Sequence, residues 1–522
     1  MYFRIFFVQT VSAFVFTYYL KSSRTTEAAL YNIQTVSQPS SNMLNKISVI
    51  HLKLFFTTSV MSFQQFVIGG VFGFSAVILP QLELSDALVK VDADQASWIA
   101  SLPLLLCPIG SLVFGYLSDR FGRKLSLQLT YVPLLISWSL LSNAACLKDI
   151  YIGRLLSGLA TGTGGVIYMY IAETSPTDSR PFFLLIYTLF VGLGLMTSAI
   201  LGALFHWRTV AAVFAVMCAV GFVIPFFVPS PPMWLRSRKR ETEAKLAEKW
   251  FGFELDRIDD LPTLPPPPCA AAAMATLTRA DSTVGAIMDT NVSCWSLYTG
   301  PTVWKPTLAA IAFFCCQQAS GFYVLLFYSV DVMRDCRVSI DGMTAAVYLC
   351  AARLAGTIVS LIFQSAPKRK LTTFSGLGMC VSMSTVVGYL YAFNGVSDPP
   401  ATDFLIVPFL FYVFFAMFAV LPLPWSVCGE MFPMAVKGTM NGVLYSCGYE
   451  LMFGAIKVYP MLVDMLGIRA FWTACACMCF VTSLFGAFVL PETTGKTLNE
   501  ITDGFRSSKD KARKRVIKPQ IP

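Results

Sequence analysis

The sequence predicts an all-α membrane protein, with twelve transmembrane helices in two six-helix bundles joined by a cytoplasmic loop. Three observations lead there. The 522 residues are 55% hydrophobic and only 13% charged, with a mean hydropathy of +0.63. A water-soluble chain of this length has too little polar side chain to cover so much apolar surface. Apolar runs that match the roughly 20 residues needed to cross hydrocarbon recur twelve times. Finally, the loops after corresponding runs in the two halves carry corresponding residues.

Residues 1–20 are apolar, with Arg4 before them and Lys21 and Arg24 after. They read as a signal sequence, an extra anchor or an extension dispensable to the fold. Residues 21–50 are rich in Ser, Thr and Asn and are expected to be disordered, which sets 1–50 apart from the core. Apolar runs at about 52–80, 96–117, 125–144, 151–172, 182–204 and 209–228 then build an N-terminal bundle over 51–228. The polar stretch 229–305 mixes the basic run Arg236–Arg240, prolines 265–268 and alanines 270–273. It reads as a partly helical, partly flexible linker. Runs at about 306–333, 342–364, 372–394, 403–428, 438–463 and 468–490 build the C-terminal bundle over 306–490. A tail, 491–522, carries the basic stretch Lys509–Lys518, placed to touch anionic lipid.

Orientation follows from Gly115–Lys124, Gly-Tyr-Leu-Ser-Asp-Arg-Phe-Gly-Arg-Lys, where four of ten residues are charged. Two spans joined by so short a link return to the same face. Arg120, Arg123 and Lys124 place that face in the cytoplasm, because short cytoplasmic loops collect Lys and Arg. The core N-terminus, the linker and the C-terminus then lie on the same side. The Asn291-Val-Ser293 sequon falls in the linker and is expected to carry no glycan.

Enzymatic chemistry has little to work with. Only His51 and His206 are present, which argues against a His-rich metal site or a Ser-His-Asp hydrolase. Gly162–Gly165 lies within an apolar run and no Walker-type loop occurs, so nucleotide-driven work has no support. No cofactor is expected. The net charge of +9, whose most basic stretch is the tail Lys509–Lys518, is not a nucleic-acid signal. Cys315, Cys316, Cys475, Cys477 and Cys479 lie inside apolar runs and read as free thiols.

The halves repeat. Glu173-Thr-Ser-Pro176 follows the fourth run, with Arg180 seven positions beyond Glu173; Glu430-Met-Phe-Pro433 follows the tenth, with Lys437 seven positions beyond Glu430. The offset is 430 − 173 = 257 residues. Pro229-Ser-Pro-Pro-Met-Trp-Leu235 after the sixth run matches Pro491-Glu-Thr-Thr-Gly-Lys-Thr-Leu498 after the twelfth, and Lys368-Arg369-Lys370 faintly echoes the loop 115–124. Matching features in matching loops mark a duplicated transporter with its site between the halves.

These residues, with Ala96-Ser-Trp-Ile-Ala100, Gly153-Arg154, Tyr170–Pro176, Gln317-Gln318-Ala-Ser-Gly321 and Pro422-Leu-Pro-Trp425, resemble the sugar-porter family of the major facilitator superfamily. Within it they are most similar to the insect trehalose-transporting branch, over about residues 55–505. The resemblance implies the major facilitator fold, alternating access around a central sugar site, and a plasma-membrane monomer whose partners are a small sugar and the bilayer. Asp119, Arg120, Arg123, Lys124, Glu173, Arg180, Glu430 and Lys437 fall at cytoplasmic helix ends. There they can form ion pairs between the bundles in one state and release them in the other, or serve as positive-inside anchors and caps. Exposed pairs contribute roughly 0–1 kcal/mol each, so only a network biases one state. Gln364-Ser365-Ala366-Pro367 lacks the family's acid and glycine, which weakens the second half of that gate.

By the same resemblance Gln317 and Gln318 bind sugar, since amides offer both donors and acceptors to hydroxyls; helix–helix bridging is the alternative. Tyr323, Thr188 and Gly448 replace the family's amides, while Trp425 is retained to stack on a sugar or to pack. Arg353 and Glu450 lie mid-span, where charges are functional-site candidates. They are expected to pair with each other, tuning recognition towards a charged solute or merely compensating one another. Proton-driven members carry an Asp in span one in a Gly-Phe-Asp-like context. Here the residues are Gly73-Phe74-Ser75, which favours passive transport of trehalose or a hexose. Glu450 keeps proton coupling open, and a non-transporting sugar sensor is the reading from another class.

Overall fold

A computed structural model describes residues 41–83, 89–176, 180–252, 300–363, 366–394, 396, 400, 402–432, 437–494 and 505. The apolar run 1–20, prolines 265–268, alanines 270–273, Asn291, Gln364, Ser365 and the basic tail lie outside them. The described residues are almost wholly helical. Ten helical stretches among them are long and apolar enough to cross a membrane, including Leu52–Leu82, Ala93–Phe121, Trp207–Phe227 and Thr402–Cys428. Two further spans, seven over Pro301–Asp335 and eleven over Lys437–Leu466, complete twelve. Span seven is divided at Ser320-Gly321, and its longer piece is diluted by Lys305, Gln317 and Gln318; span eleven holds Glu450, Lys457 and Asp464. Large apolar side chains face outward, as at Phe488, 78% exposed, and Phe404, 74% exposed. Hydrocarbon is the solvent that accepts such a surface.

Two boundaries differ from expectation. The first helix begins at Ser41, inside the stretch expected to be disordered. No Gly or Pro interrupts 41–52, and once nucleated, a helix gains one hydrogen bond per added residue. Span seven begins at Pro301, where proline at the first helical turn needs no amide donor. The linker is helical at Pro232–Ser237 and Glu241–Phe251, joined by an Arg236–Glu248 ion pair of 2.7 Å.

Several spans are broken at mid-depth. Span two breaks at Leu106, span four at Gly162-Thr163 and span seven at Ser320-Gly321, where Gly321 takes φ +85°. Span ten passes through a π turn, Ala416–Val420, ahead of Pro422. Each break frees backbone carbonyls that no water can reach, so polar side chains must bond them. Ser111 donates to the Gly162 carbonyl at 2.7 Å and Tyr412 to that of Ser320 at 2.7 Å. Gln317 donates to the Leu421 carbonyl at 2.8 Å.

Small residues let the broken helices approach closely. A Cβ on Gly194 would lie 1.9 Å from the Phe66 carbonyl oxygen, so spans one and five touch backbone to backbone. Within the N-terminal bundle Trp138 stacks on Phe214 at 4.8 Å and meets the edge of Phe74 at 5.0 Å. Between the bundles, span five packs on span eight and span two on span eleven. Among the described residues every cysteine is free, with Cys316, Cys475 and Cys479 buried and Cys315 and Cys477 exposed.

Candidate substrate site and gates

Gln317 and Gln318 occupy the last turn before the break in span seven. Gln317 is fully buried, and its amide nitrogen is committed to the Leu421 carbonyl at 2.8 Å and the Val420 carbonyl at 3.4 Å. It therefore bridges spans seven and ten. Gln318 Nε2 leans on Gln317 Oε1 at 3.5 Å, while Gln318 Oε1 is buried with no hydrogen-bond partner. Gln317 thus takes the helix-bridging role that was the alternative for both amides.

Trp425 of span ten sits among Phe314 at 4.9 Å, Tyr449 at 5.2 Å and Tyr445 at 5.4 Å between ring centroids. Gly448 makes room for it, since a Cβ there would meet Phe314 at 3.0 Å and the Trp425 ring at 3.2 Å. The Tyr323 side chain hydrogen-bonds that of Trp425 and lies close to Arg353. Thr188 is half-buried and bonds the Leu184 carbonyl of its own helix at 3.3 Å. Arg353 lines an inter-bundle cavity with Gly73, Leu195, Phe322, Ser329 and Cys350. Its volume is about 20 Å³, room for a single water, so the site is shut in this conformation.

The expected Arg353–Glu450 pair is not formed. Glu450 is exposed on span eleven and its charge acts on Cys107 of span two, not on Arg353. Packing explains this: span eight lies against spans five and ten, span eleven against spans two and seven.

At the end of the bundles that carries Gly115–Lys124, the described charges pair within the N-terminal half. Arg123 contacts Glu173 at 3.0 Å, Asp119 at 3.5 Å and the Ser118 carbonyl at 3.2 Å. Lys124 donates to the Phe226 carbonyl at 3.3 Å and Arg120 to the Tyr116 hydroxyl at 2.8 Å. Arg238, after span six, donates to the carbonyls of Asp119 at 2.8 Å and Arg120 at 2.9 Å. The C-terminal half is clasped similarly: Glu492, after span twelve, accepts the amides of Lys368 at 3.1 Å and Arg369 at 3.2 Å. Partial burial acts to raise its pKa, but these bonds and those from Thr494 outweigh it and hold the carboxyl below its ordinary value. The side chains of Arg180, Glu430 and Lys437 lie outside the described set. Among the described residues no ion pair crosses between the bundles at this end.

At the opposite end two pairs do cross, and sequence reasoning missed both. Lys457 of span eleven meets Asp94 at 2.5 Å and Ser97 Oγ at 2.7 Å, with its ammonium 4.4 Å from the Trp98 ring centroid. Arg334 at the end of span seven meets Glu83 at 3.1 Å, and Asp331 at 3.0 Å within its own span. The available signal was that both cations oppose the positive-inside bias. Gln64 and Gln65 were missed too. They form an amide pair in span one, with Gln64 donating to Thr163 Oγ1 at 2.7 Å at the break in span four.

Arg154 of the Gly153-Arg154 motif is fully buried. Its guanidinium donates to the carbonyls of Ile99 at 2.8 Å, Val71 at 2.9 Å and Ala100 at 3.5 Å, and to the Ser75 hydroxyl. Ser75 thus stands against Arg154 as a neutral acceptor, with no proton to exchange near neutral pH.

A profile of the family described as "Sugar (and other) transporter" matches residues 5–505. The "Facilitated trehalose transporter Tret1" of Drosophila virilis is 26% identical over 416 residues, covering 79% of this chain and 44% of that relative. That of Polypedilum vanderplanki is 26% identical over 417 residues, covering 79% of this chain and 80% of the relative. The chain spans less than half the length of the Drosophila virilis, Drosophila mojavensis and Drosophila yakuba relatives it matches. Among solved structures, the partially occluded inward-open xylose transporter XylE from E. coli superposes with a TM-score of 0.65 at 19% identity. The superposition covers 85% of this chain and 99% of that one. The fold is shared, and with the profile running almost end to end the chain belongs to the sugar transporter family.

Proposed function

We propose that the protein is a facilitative carrier for trehalose or a hexose, working by alternating access as a plasma-membrane monomer with the Gly115–Lys124 end in the cytoplasm. The observation that carries this reading is the acceptor Gln318 Oε1 at the break in span seven, buried and without a hydrogen-bond partner among the described residues. A buried acceptor without a donor is costly, and a sugar hydroxyl supplies that donor. The Trp425 indole face offers the apolar side of a sugar ring a place to stack. Pairs joining the bundles at the far end, with none crossing at the basic-loop end among the described residues, support a state closed at the far end. The neutral Ser75 beside Arg154 supports uniport.

The test is Gln318→Leu, followed by labelled-glucose uptake and by thermal unfolding of the purified protein. Binding through Gln318 predicts that half-saturation rises by about tenfold, the value of one hydrogen bond. The unfolding midpoint stays level or rises, because an orphan acceptor has gone. A fall in the midpoint with unchanged half-saturation would make Gln318 a helix bridge instead.

A further inference from the structure

Two arginines lie well inside the spans, and the fold treats them in opposite ways. Arg154 in span four is wrapped by three backbone carbonyls and a hydroxyl, so its charge is spread over acceptors of the protein itself. Arg353 stands midway along span eight, Gly342–Ile362, and receives none of this. Among the described residues no carboxylate pairs with its guanidinium and no hydrogen bond is made from it. The ionisable groups nearest in effect are the Tyr323 phenol and the Cys350 thiol. Glu450, the acid expected to compensate it, is turned to span two. The cavity beside Arg353 is lined by apolar and small side chains, with Ser329 the hydroxyl among them.

A charge held in a membrane interior without a protein partner points to a partner that arrives. A guanidinium presents a planar fork of donors that fits a carboxylate with two parallel bonds. One guanidinium balances one negative charge, which favours a monocarboxylate over a phosphate ester. The opposite side of the site suits a polyol: Gln318 Oε1 awaits a hydroxyl, and Tyr323, touching Trp425 and near Arg353, links the two regions.

We propose that Arg353 is the docking point for the carboxylate of a sugar acid, and that the carrier transports polyhydroxylated monocarboxylates of the hexuronate class. This rests on the reading of the inter-bundle site as a sugar site. Because the cavity is closed here, the acid enters only when the bundles part. Its carboxylate displaces no proton and forms no covalent bond. An anion carried alone moves charge, so transport is electrogenic.

The experiment expresses the full chain in oocytes and measures uptake of labelled glucuronate and labelled glucose side by side, with the membrane voltage clamped. The expected result is saturable glucuronate uptake accompanied by an outward current, and inhibition of glucose uptake by unlabelled glucuronate. Arg353→Gln should lower the ratio of glucuronate to glucose uptake at least about tenfold, as expected for a lost charge-assisted bond, with Arg353→Lys in between. The ratio is independent of how much protein reaches the surface. Glucose uptake with neither glucuronate uptake nor competition overturns the proposal and leaves the sugar reading standing. Equal loss of both substrates in Arg353→Gln also overturns it, making the residue structural. Glucuronate uptake without glucose uptake supports the proposal and removes the neutral-sugar reading. Uptake of neither, at verified surface expression, overturns both.

Discussion

Arg154→Leu is expected to destabilise the folded protein. The guanidinium donates to carbonyls of two neighbouring spans, Val71 in span one and Ile99 and Ala100 in span two, and to the Ser75 hydroxyl; Ile99 is left without a helical donor because Pro103 stands four residues on. Leucine fills part of the volume and donates nothing. Each buried acceptor left without a donor costs about 1–3 kcal/mol, and no water can replace the bond at this depth. A loss of about 1–3 kcal/mol follows from the Ile99 carbonyl alone, since the Val71 and Ala100 carbonyls keep their helical donors. Arg154→Lys keeps the charge but has a single nitrogen to aim, so it should lie between the two. The measurement is the unfolding midpoint of purified protein in detergent, with a fall of roughly 1–3 °C for Arg154→Leu. A variant as stable as the parent would show that Arg154 does not hold spans one, two and four together.

Lys457→Glu should release the far end of the bundles. Lys457 is engaged by Asp94, Ser97 and the Trp98 ring together, all from span two of the other half. An isolated exposed pair contributes only about 0.2–1 kcal/mol. Here the reversal removes three contacts at once and sets a second carboxylate against Asp94. Exchanging the charges, Lys457→Asp with Asp94→Lys, should restore the pair while changing the same positions. The reporter is Ser329→Cys, in the inter-bundle cavity, and its rate of modification by a membrane-impermeant thiol reagent applied at the far end. A shift of about 1.4 kcal/mol between states corresponds to a tenfold faster reaction. Lys457→Glu should show about that change, and the exchanged pair should return towards the parent rate. Equal rates in all three would remove the ion pair from the gate and leave closure to the packing of span two on span eleven.

Those contrasts also mark what could be read from sequence. The spans were legible because hydrocarbon demands about 20 apolar residues each time. Even spans seven and eleven, diluted by Gln317, Gln318, Glu450 and Lys457, kept enough of the pattern. Asp119 and Glu173 were legible as charges at cytoplasmic helix ends with pairs expected between the bundles, but the structure pairs both with Arg123 of their own half. Their partners across the interface were not legible, because a periodic pattern places a residue on a helix but does not choose which neighbouring helix it meets. Arg353 and Glu450 show this directly: both are central in their spans, yet spans eight and eleven face different neighbours. The far-end pairs escaped for a related reason. Glu83 and Asp94 sit at helix ends where acids are ordinary caps, and only Lys457 and Arg334, out of place by charge bias, hinted at a role. The breaks at Gly162, Gly321 and Pro422 were visible as residues. What they release, and that Gln64 and Gln317 answer it, emerges only when the helices are side by side.

The central claim is carriage of a neutral sugar down its gradient by a protein whose Arg154 faces serine where a proton carrier would need an acid. It is tested most directly by uptake of labelled trehalose and glucose into oocytes, with and without an imposed proton gradient. The account predicts saturable uptake whose rate is the same in both conditions. Uptake that rises with the inward proton gradient would contradict it and turn attention to Glu450 as the proton carrier.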